Sequence, residues 1–557
     1  MLARSGVRAA RARASAALPV TVKGSLLLLA VLSAVRAAAS GEPGAGLAVH
    51  HHPIATRSAE AQRLFDEGFT LLFAFNHDEA VRAFRRAAEL APESPMPHWG
   101  VALALGPNIN LDVDPERERA AYEAGQRARA LARAAPRNER DYVEALVMRY
   151  SIEPGADLKR LAADYSRAMG DLARRYPDDL DAATLYAESL MDLRPWHLWA
   201  ADGTPAEGTE EIVAVLESVL ARDPAHVGAN HYYIHAVEAS PHPERALPSA
   251  RRLETLVPEA GHLVHMPAHI YMRVGDYAAA ARSNDLAAQV DRAYIERTGV
   301  TGIYPLMYYS HNLHFLSAAY AMEGRLADAR RAAEQLVDNV RASVKEMPMV
   351  EFAMLTPTLV DERFARWGAV LEAPEPDPEL PITRCLWHFA RGVAYAATGR
   401  VAPAEAERSA FAAAQEGVPA DAVYGGGGLN GARTVMHLAG LVLDGRIAAA
   451  RGRKKEAIDD LRRAVDAEDA LAYDEPPAWH HPVRESLGGL LLRDRQYGEA
   501  ERVFRQDLQR HPRNPRSLFG LRASLEGQGR TADATWVRRA FDEAWRNAEV
   551  PLRVEDL

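Results

Sequence analysis

Past residue 58, the apolar and polar positions of the chain follow the spacing of amphipathic helices. Stretches rich in alanine and leucine alternate with short turns that contain glycine or proline. Runs of β-branched residues with strictly alternating apolar and polar positions, which would indicate strands, do not occur in the sequence. The pattern therefore predicts an all-α chain whose helices are joined by short turns.

The helical pattern repeats with a period of 34 residues. In the first unit the recurring positions are Gly68, Leu71, Ala80, Phe84, Ala87 and Pro92. Far downstream the same offsets are occupied by Gly488, Leu491, Ala500, Phe504 and Pro512. Small residues let two antiparallel helices approach closely, the phenylalanine fills the joint between them, and the proline ends the second helix. The period therefore predicts stacked pairs of antiparallel helices.

These positions resemble the signature of the tetratricopeptide repeat (TPR), in which L-G-x2-Y, A-x3-F and P recur over one unit. The resemblance implies a right-handed superhelical solenoid of TPR-like helix-turn-helix repeats, with roughly ten to eleven units. The clearest units are 61–94, 227–260, 261–294, 310–343, 385–418, 481–514 and 515–548. A coiled coil is the competing interpretation, but glycine and proline at the unit boundaries argue against it.

The resemblance also extends to function. The stretch from His265 to Tyr271 is similar to segments of exported, histidine-rich bacterial TPR proteins. TPR proteins mostly bind peptides or assemble complexes, and the first helix of each unit lines their concave face. The resemblance therefore implies a groove that binds a peptide, a protein or a small molecule.

Other features of the sequence divide the chain into segments. Residues 1–39 have the basic region, the 11-residue apolar stretch and the small residues of a secretory signal peptide. The apolar stretch is too short to span a membrane, so we expect a periplasmic or secreted protein without stable membrane insertion. The remaining predicted segments are a disordered start at 40–58, an N-terminal solenoid at 59–343, an irregular segment with a proline-rich linker at 344–384, and a C-terminal solenoid at 385–557.

Charge and cysteine content narrow the classes of function. The chain has 66 basic and 76 acidic residues, and removal of the predicted signal peptide leaves 60 basic residues and a net charge of −16. That balance argues against nucleic acid or an anionic membrane as the main partner. The single cysteine, Cys385, excludes internal disulfides, a cysteine-based zinc site and an all-thiolate iron–sulfur cluster.

Histidines are concentrated in the middle of the chain, where 9 of the 20 lie between residues 226 and 314. His231 and His235 are four residues apart, and His265 and His269 repeat that pair one full unit later. The positions of the turn glycines bring His262, His311 and His314 into the same register. Because neighbouring helices pack about 8–10 Å apart, side chains at equivalent positions can converge on one ligand. A proline at 267 that opened a helix would place His262 and His265 on the preceding turn.

These seven histidines form the predicted metal-ligand set. Imidazole ligands with one carboxylate suit zinc, copper or iron rather than calcium or magnesium. Glu238, three residues after His235, is the candidate general base if the metal activates water. Two alternatives stay open: a metal-free groove that uses histidine for hydrogen bonds, and a metal-free TPR scaffold for protein–protein interaction in the cell envelope. The sequence does not decide whether the protein is an enzyme.

Two weaker motifs receive structural interpretations. His50-His51-His52 is read as part of a disordered polar start. Gly426-x-Gly428-x-x-Gly431 matches a dinucleotide-binding pattern, but it follows no predicted strand and is interpreted as a loop.

Overall fold

Helices follow one another along most of the chain in a computed structural model, which describes residue 47 and residues 49–557. The α-helices, numbered α1 to α25 in chain order, are Ala59–Phe73, His77–Leu90, Met96–Leu105, Pro115–Ala132, Arg137–Leu146, Leu158–Arg175, Leu180–Met191, Thr209–Arg222, Val227–Val237, Leu247–Leu256, Gly261–His265, Pro267–Val274, Tyr277–Thr298, Ser310–Met322, Leu326–Val340, Thr356–Arg363, Trp367–Glu372, Pro381–Ala397, Val401–Glu416, Ala432–Ala450, Lys454–Asp469, Val483–Arg493, Tyr497–Arg510, Pro515–Gly527 and Thr531–Ala544. The 3-10 helices are Val147–Arg149, Pro243–Ala246, Pro348–Leu355 and Val554–Asp556, and a π-helix spans Tyr304–Tyr309. Two short strands, β1 (Val423–Tyr424) and β2 (Asn430–Gly431), pair antiparallel.

The predicted all-α solenoid of TPR-like helical repeats is confirmed. Consecutive helices pack against each other along the described chain. The predicted signal peptide lies outside the described residues. Among the helices that the structure describes, none is both long and apolar enough to cross a membrane.

Buried phenylalanines set the spacing between the repeats, as the sequence predicts. The ring of Phe84 lies between Gly68 of its own unit and Gly100 of the next unit. A Cβ atom on Gly68 would lie 2.7 Å from this ring, and one on Gly100 would lie 2.6 Å from it. Phe504 has the same position between Gly488 and Gly520. Since both rings are fully buried, the joint between repeats accepts glycine and no larger residue without movement.

The start of the described chain differs from the predicted disorder at 40–58. Residues 49–58 contain no helix, but His50 and His52 are buried. His50 Nε2 and His52 Nδ1 each lie 2.7 Å from one carboxylate oxygen of Asp181. His226 Nε2 lies 3.1 Å from the same carboxylate. The carboxylate that holds this segment is far downstream, so local composition does not reveal the contact.

The segment at 344–384 contains more helix than the sequence predicts. A 3-10 helix and the helices α16 (Thr356–Arg363) and α17 (Trp367–Glu372) occupy most of its first part. Residues 373–380 lack helix, as expected from their prolines.

The predicted C-terminal solenoid, 385–557, packs back onto the predicted N-terminal solenoid, 59–343. The Tyr277 hydroxyl donates to the Pro512 carbonyl at 3.0 Å, and the Glu549 amide donates to the Gly324 carbonyl at 3.0 Å. Residues 47–557 accordingly form one compact unit. The segment at 373–380 therefore interrupts the helical repeat, but it does not separate two independently packed units.

Candidate metal centre

Three neighbouring repeat units supply the histidines of the site. Helix α9 (Val227–Val237) carries His231 and His235 on one face, because residues four apart lie one turn apart. Helix α11 (Gly261–His265) carries His262 and His265, and helix α12 (Pro267–Val274) carries His269. Helix α14 (Ser310–Met322) carries His311 and His314 near its start.

Pro267 begins helix α12 without separating the histidines on either side of it. Met266 has helical backbone angles, with φ −50° and ψ −36°, so the chain continues along a helical path. A proline in the first turn of a helix loses no hydrogen bond, since its N–H would have no partner there. His265 and His269 therefore remain one turn apart, with ring centroids separated by 4.7 Å.

Six of the seven predicted ligands form two groups of three. We call His231, His235 and His262 the first triad, and His265, His269 and His311 the second triad. Within each triad, one nitrogen from each ring lies within 4.8 Å of the other two. His262 Nε2 lies 3.1 Å from His231 Nε2, and His265 Nε2 lies 2.8 Å from His269 Nε2. Both triads are suitable ligand sets for a transition metal.

Hydrogen bonds to the opposite ring nitrogen orient several of these histidines. His231 Nδ1 donates to the Phe73 carbonyl at 2.6 Å. His265 Nδ1 lies 2.6 Å from Asn284 Oδ1, whose own amide nitrogen donates to the Ala280 carbonyl. The amide oxygen is therefore the acceptor, and His265 Nδ1 must carry the proton. In the neutral form of both rings, Nε2 is the unprotonated nitrogen and therefore the one that can bind a metal.

Glu238 orients one histidine of each triad. Its Oε1 accepts from His235 Nδ1 at 2.7 Å, and its Oε2 accepts from His269 Nδ1 at 2.5 Å. Burial raises the pKa of Glu238, but His269 and His235 outweigh that effect and hold its pKa well below the usual value. The carboxylate is therefore ionised, and both histidines present Nε2 toward the cluster. His235 Nε2 is buried and has no hydrogen-bond partner.

The second triad brings two metal-binding lone pairs into direct contact. His265 and His269 each use Nδ1 as a donor, so their facing Nε2 atoms, 2.8 Å apart, are both lone-pair acceptors when the rings are neutral. Two lone pairs at this distance repel each other unless a cation lies between or beside them. Burial lowers the pKa of His269, but Glu238 outweighs it and raises that pKa. A proton or a metal ion bound at these nitrogens would relieve the repulsion.

The pKa shifts of the other five rings favour the neutral form. Burial lowers the pKa of His231, His262, His265 and His311 well below the usual value, and neighbouring histidines lower it further. Burial also lowers the pKa of His235, although Glu238 partly opposes the effect. Neutral imidazole is the form that binds metals.

A cavity of about 160 Å³ lies against both triads. Its histidine wall contains His235 and His262 of the first triad and His269 and His311 of the second. The rest of its lining includes Leu111, Trp196, Ile303, Met307, Tyr308 and Met349. The cavity therefore combines a face of metal-binding nitrogens with a largely apolar and aromatic face.

The C-terminal half closes the cavity with two carboxyl groups. Asp474 and Glu475 line it, and burial raises the pKa of each to about 7. The Tyr473 hydroxyl lies 2.9 Å from Glu475 Oε1 and 3.3 Å from Glu238 Oε2. Gly426 is close to His311, because a Cβ atom there would lie 3.2 Å from His311 Nδ1. The glycine-rich motif is the turn of the hairpin between β1 and β2, so it does follow a short strand, contrary to the prediction, and its Gly426 lies on the wall of this cavity.

Sequence reasoning missed the residues that orient and enclose the histidines. Phe73 contributes a backbone carbonyl, which carries no sequence signal. Asn284, Tyr473 and Glu475 lie outside the histidine register, and Tyr473 and Glu475 reach the site only because the chain folds back on itself. Tyr473-Asp474-Glu475 precedes two prolines, but nothing in that motif indicates a contact with residues more than 200 positions away.

For two residues, Glu238 and His314, the geometry does not match the role predicted from the sequence. Glu238 is predicted as a candidate general base, but both of its oxygens accept from histidine and its side chain is 1% exposed, an arrangement that orients the two imidazoles. His314 belongs to neither triad. Its ring packs 5.2 Å from that of Phe352, and it lines a different cavity.

Other histidine–carboxylate groups have contacts that explain them without a metal. The rings of His50, His52 and His226 surround Asp181, and the pKa of Asp181 lies well below the usual value because these contacts outweigh its burial. His480 Nε2 lies 3.1 Å from Glu362 Oε2. In both groups a carboxylate is hydrogen-bonded directly to imidazole, which is typical of a structural ion-pair network.

The fold and the site together define a helical-repeat protein with a buried histidine cluster at its centre. No family model matches the chain, and no curated protein matches it.

Solved structures with a similar arrangement of helices include the human IFIT1 dimer with PPP-AAAA, at 12% identity over 89% of this chain and 92% of that one, with a TM-score of 0.31. A monomeric IFIT1 mutant with Gppp-AAAA has 13% identity over 81% and 90% of the two chains and a TM-score of 0.32. The APC/C hetero-tetramer Cut9-Hcn1 has 11% identity over 94% and 82%, and a TM-score of 0.29. At these values the likeness carries no argument about ligands, and the sequence-based exclusion of nucleic acid finds no support in it.

Proposed function

We propose that the protein is a metal-dependent enzyme in which the two histidine triads bind a transition metal next to a small-molecule cavity. The observation that carries the proposal is the orientation of the rings. Four histidines donate Nδ1 to fixed acceptors, so that four Nε2 lone pairs converge in a buried space. Convergence of this kind is unfavourable when all four rings are neutral, and metal binding turns it into a favourable contact.

The ligand number supports a catalytic rather than a structural site. Structural zinc sites are closed by four protein ligands, whereas catalytic sites keep a position open for water or substrate. Each triad supplies three nitrogens, and four of the six rings line the cavity. A small molecule in the cavity would therefore meet the open position of the metal.

The cavity also indicates the class of substrate. A volume of about 160 Å³ suits a small molecule and not a folded protein or a long peptide. Met307, Met349 and Trp196 favour an apolar or aromatic portion, while Asp474 and Glu475 provide hydrogen bonds for a polar group. We propose zinc, copper or iron as the metal, since imidazole suits all three.

Metal analysis of the purified full chain tests this function. We expect bound transition metal in the wild type and a loss of metal in a His265→Ala/His269→Ala variant, because the closest pair of nitrogens is removed. The matched control is His197→Ala/His242→Ala, since both of these histidines are exposed. Wild-type protein that neither contains metal nor takes up added zinc, copper or iron would leave the metal-free scaffold as the better hypothesis.

A further inference from the structure

We infer that the cluster holds two copper ions, one in each triad, and that Glu238 links them into a dinuclear centre. This inference rests on the proposed function, since it specifies how the same histidines divide the metal. It goes further in fixing the number of ions, their identity and the residue that connects them.

The spacing of the ligand nitrogens argues for two ions rather than one. Within each triad, one nitrogen from each ring lies within 4.8 Å of the other two. The Nε2 pairs His231–His262, at 3.1 Å, and His265–His269, at 2.8 Å, each lie inside one triad. The ring centroids do not divide in the same way, since His235 and His262 of the first triad are 6.3 Å apart, whereas His235–His269 and His262–His265 are 5.9 Å apart. The two centres are therefore defined by the ligand nitrogens.

One buried carboxylate connects the two centres. Glu238 uses a different oxygen for each triad, 2.7 Å from His235 Nδ1 and 2.5 Å from His269 Nδ1. A hydrogen bond from a ligating histidine to a carboxylate fixes the ring and strengthens its Nε2 as a ligand. Substitution of Glu238 would therefore weaken one ligand of each ion, whereas substitution of a histidine in one triad would remove a ligand from one ion.

The two centres also open onto the same space. Two rings from each triad line the cavity of about 160 Å³. A single small ligand there can contact both ions, as in enzymes whose paired metals lie about 3.5–4 Å apart and act on one group.

The type of ligand favours copper over zinc. The six predicted ligand atoms are all imidazole nitrogens, and no thiolate is among them. In the divalent state copper binds nitrogen ligands more tightly than zinc does. Imidazole nitrogen also suits copper in proteins generally.

Copper counting in triad-specific variants of the full chain tests the inference. We expect two copper ions per chain in the wild type, and one ion in His262→Gln and in His311→Gln, because each variant disables one triad. A second pair, His235→Gln and His265→Gln, is expected to give the same counts. Agreement between the pairs would show that a lower count does not come from misfolding of one variant. His242→Gln, an exposed histidine outside the cluster, is expected to keep two ions.

Electron paramagnetic resonance of the oxidised protein provides an independent readout. Two neighbouring copper(II) ions should give a weakened or broadened signal, and each triad variant should give the full signal of one isolated ion. One ion in the wild type that either triad variant abolishes would overturn the pair but leave the proposed function standing. Wild-type protein without any metal would overturn both.

Discussion

Replacement of Glu238 by glutamine would remove the connection between the triads while keeping the shape of the side chain. The carboxylate accepts two imidazole N–H groups, at 2.7 and 2.5 Å. The amide of glutamine has one acceptor oxygen, and its NH₂ group would face the other imidazole N–H. That histidine must either lose its hydrogen bond or move its proton to Nε2, and in the second case it can no longer bind metal.

The expected loss of metal affinity follows from that single lost contact. A hydrogen bond to a charged group contributes about 1.5–3 kcal/mol, and mutation of a residue that orients a metal ligand typically lowers affinity about 10- to 100-fold. The two ranges agree, since a tenfold change corresponds to about 1.4 kcal/mol. We therefore expect Glu238→Gln to weaken metal binding by about 10- to 100-fold.

Competition with a chromophoric chelator measures this affinity directly. The control is Glu244→Gln, because Glu244 also contacts a histidine, His242, at 3.1 Å, but both side chains are more than half exposed. Circular dichroism would confirm that both variants fold. If Glu238→Gln bound metal as tightly as Glu244→Gln, the proposed role of the shared carboxylate would be refuted.

Three further predictions concern buried carboxylates and close packing in the solenoid. Burial raises the pKa of Asp291 to about 7, so its ionisation opposes folding. The wild type should lose on the order of 4 kcal/mol of stability relative to Asp291→Asn as pH rises from about 4 to 7, and denaturant unfolding that gave a pH-independent difference would contradict this. A Cβ atom on Gly261 would lie 1.9 Å from Asp291 Oδ1, so Gly261→Ala should lower unfolding stability by about 1–3 kcal/mol, whereas Gly498→Ala, with open space around it, should not. Asp181→Ala should cost about 3–5 kcal/mol, because it leaves buried histidines without their carboxylate, and it should speed proteolysis at residues 49–58; an unchanged melting temperature would exclude this role.

The fold was predictable because its determinants are local and repeated. Gly68, Phe84 and Pro92 recur at the offsets of one unit, and the buried ring of Phe84 confirms the interpretation of those positions. The burial of His50 and His52 was not predictable, since their partner Asp181 belongs to a distant helix. Local periodicity determines where helices begin and end, but it does not indicate which polar side chains meet across the solenoid.

The sequence was enough to predict which histidines come together, but not how they divide into two triads. The separation of one full repeat between His231 and His265 was enough to predict convergence. The split into two triads depends on ring rotations, and these are fixed by the Phe73 carbonyl, Asn284 and Glu238. A backbone carbonyl has no sequence signature, and a single asparagine or glutamate on a helix is too common to indicate a role.

The repeat architecture explains how such a site can be built at all. Neighbouring units place equivalent positions on adjacent helices, so one histidine pattern, used three times, brings six imidazoles together without a dedicated loop. A repeat alone would leave them on an open face. Closure comes from the second half of the chain, where Tyr473 and Glu475 reach Glu238 and the cavity wall. The histidines thus come from the regularity of the solenoid, and the enclosed cavity comes from the chain folding back across it.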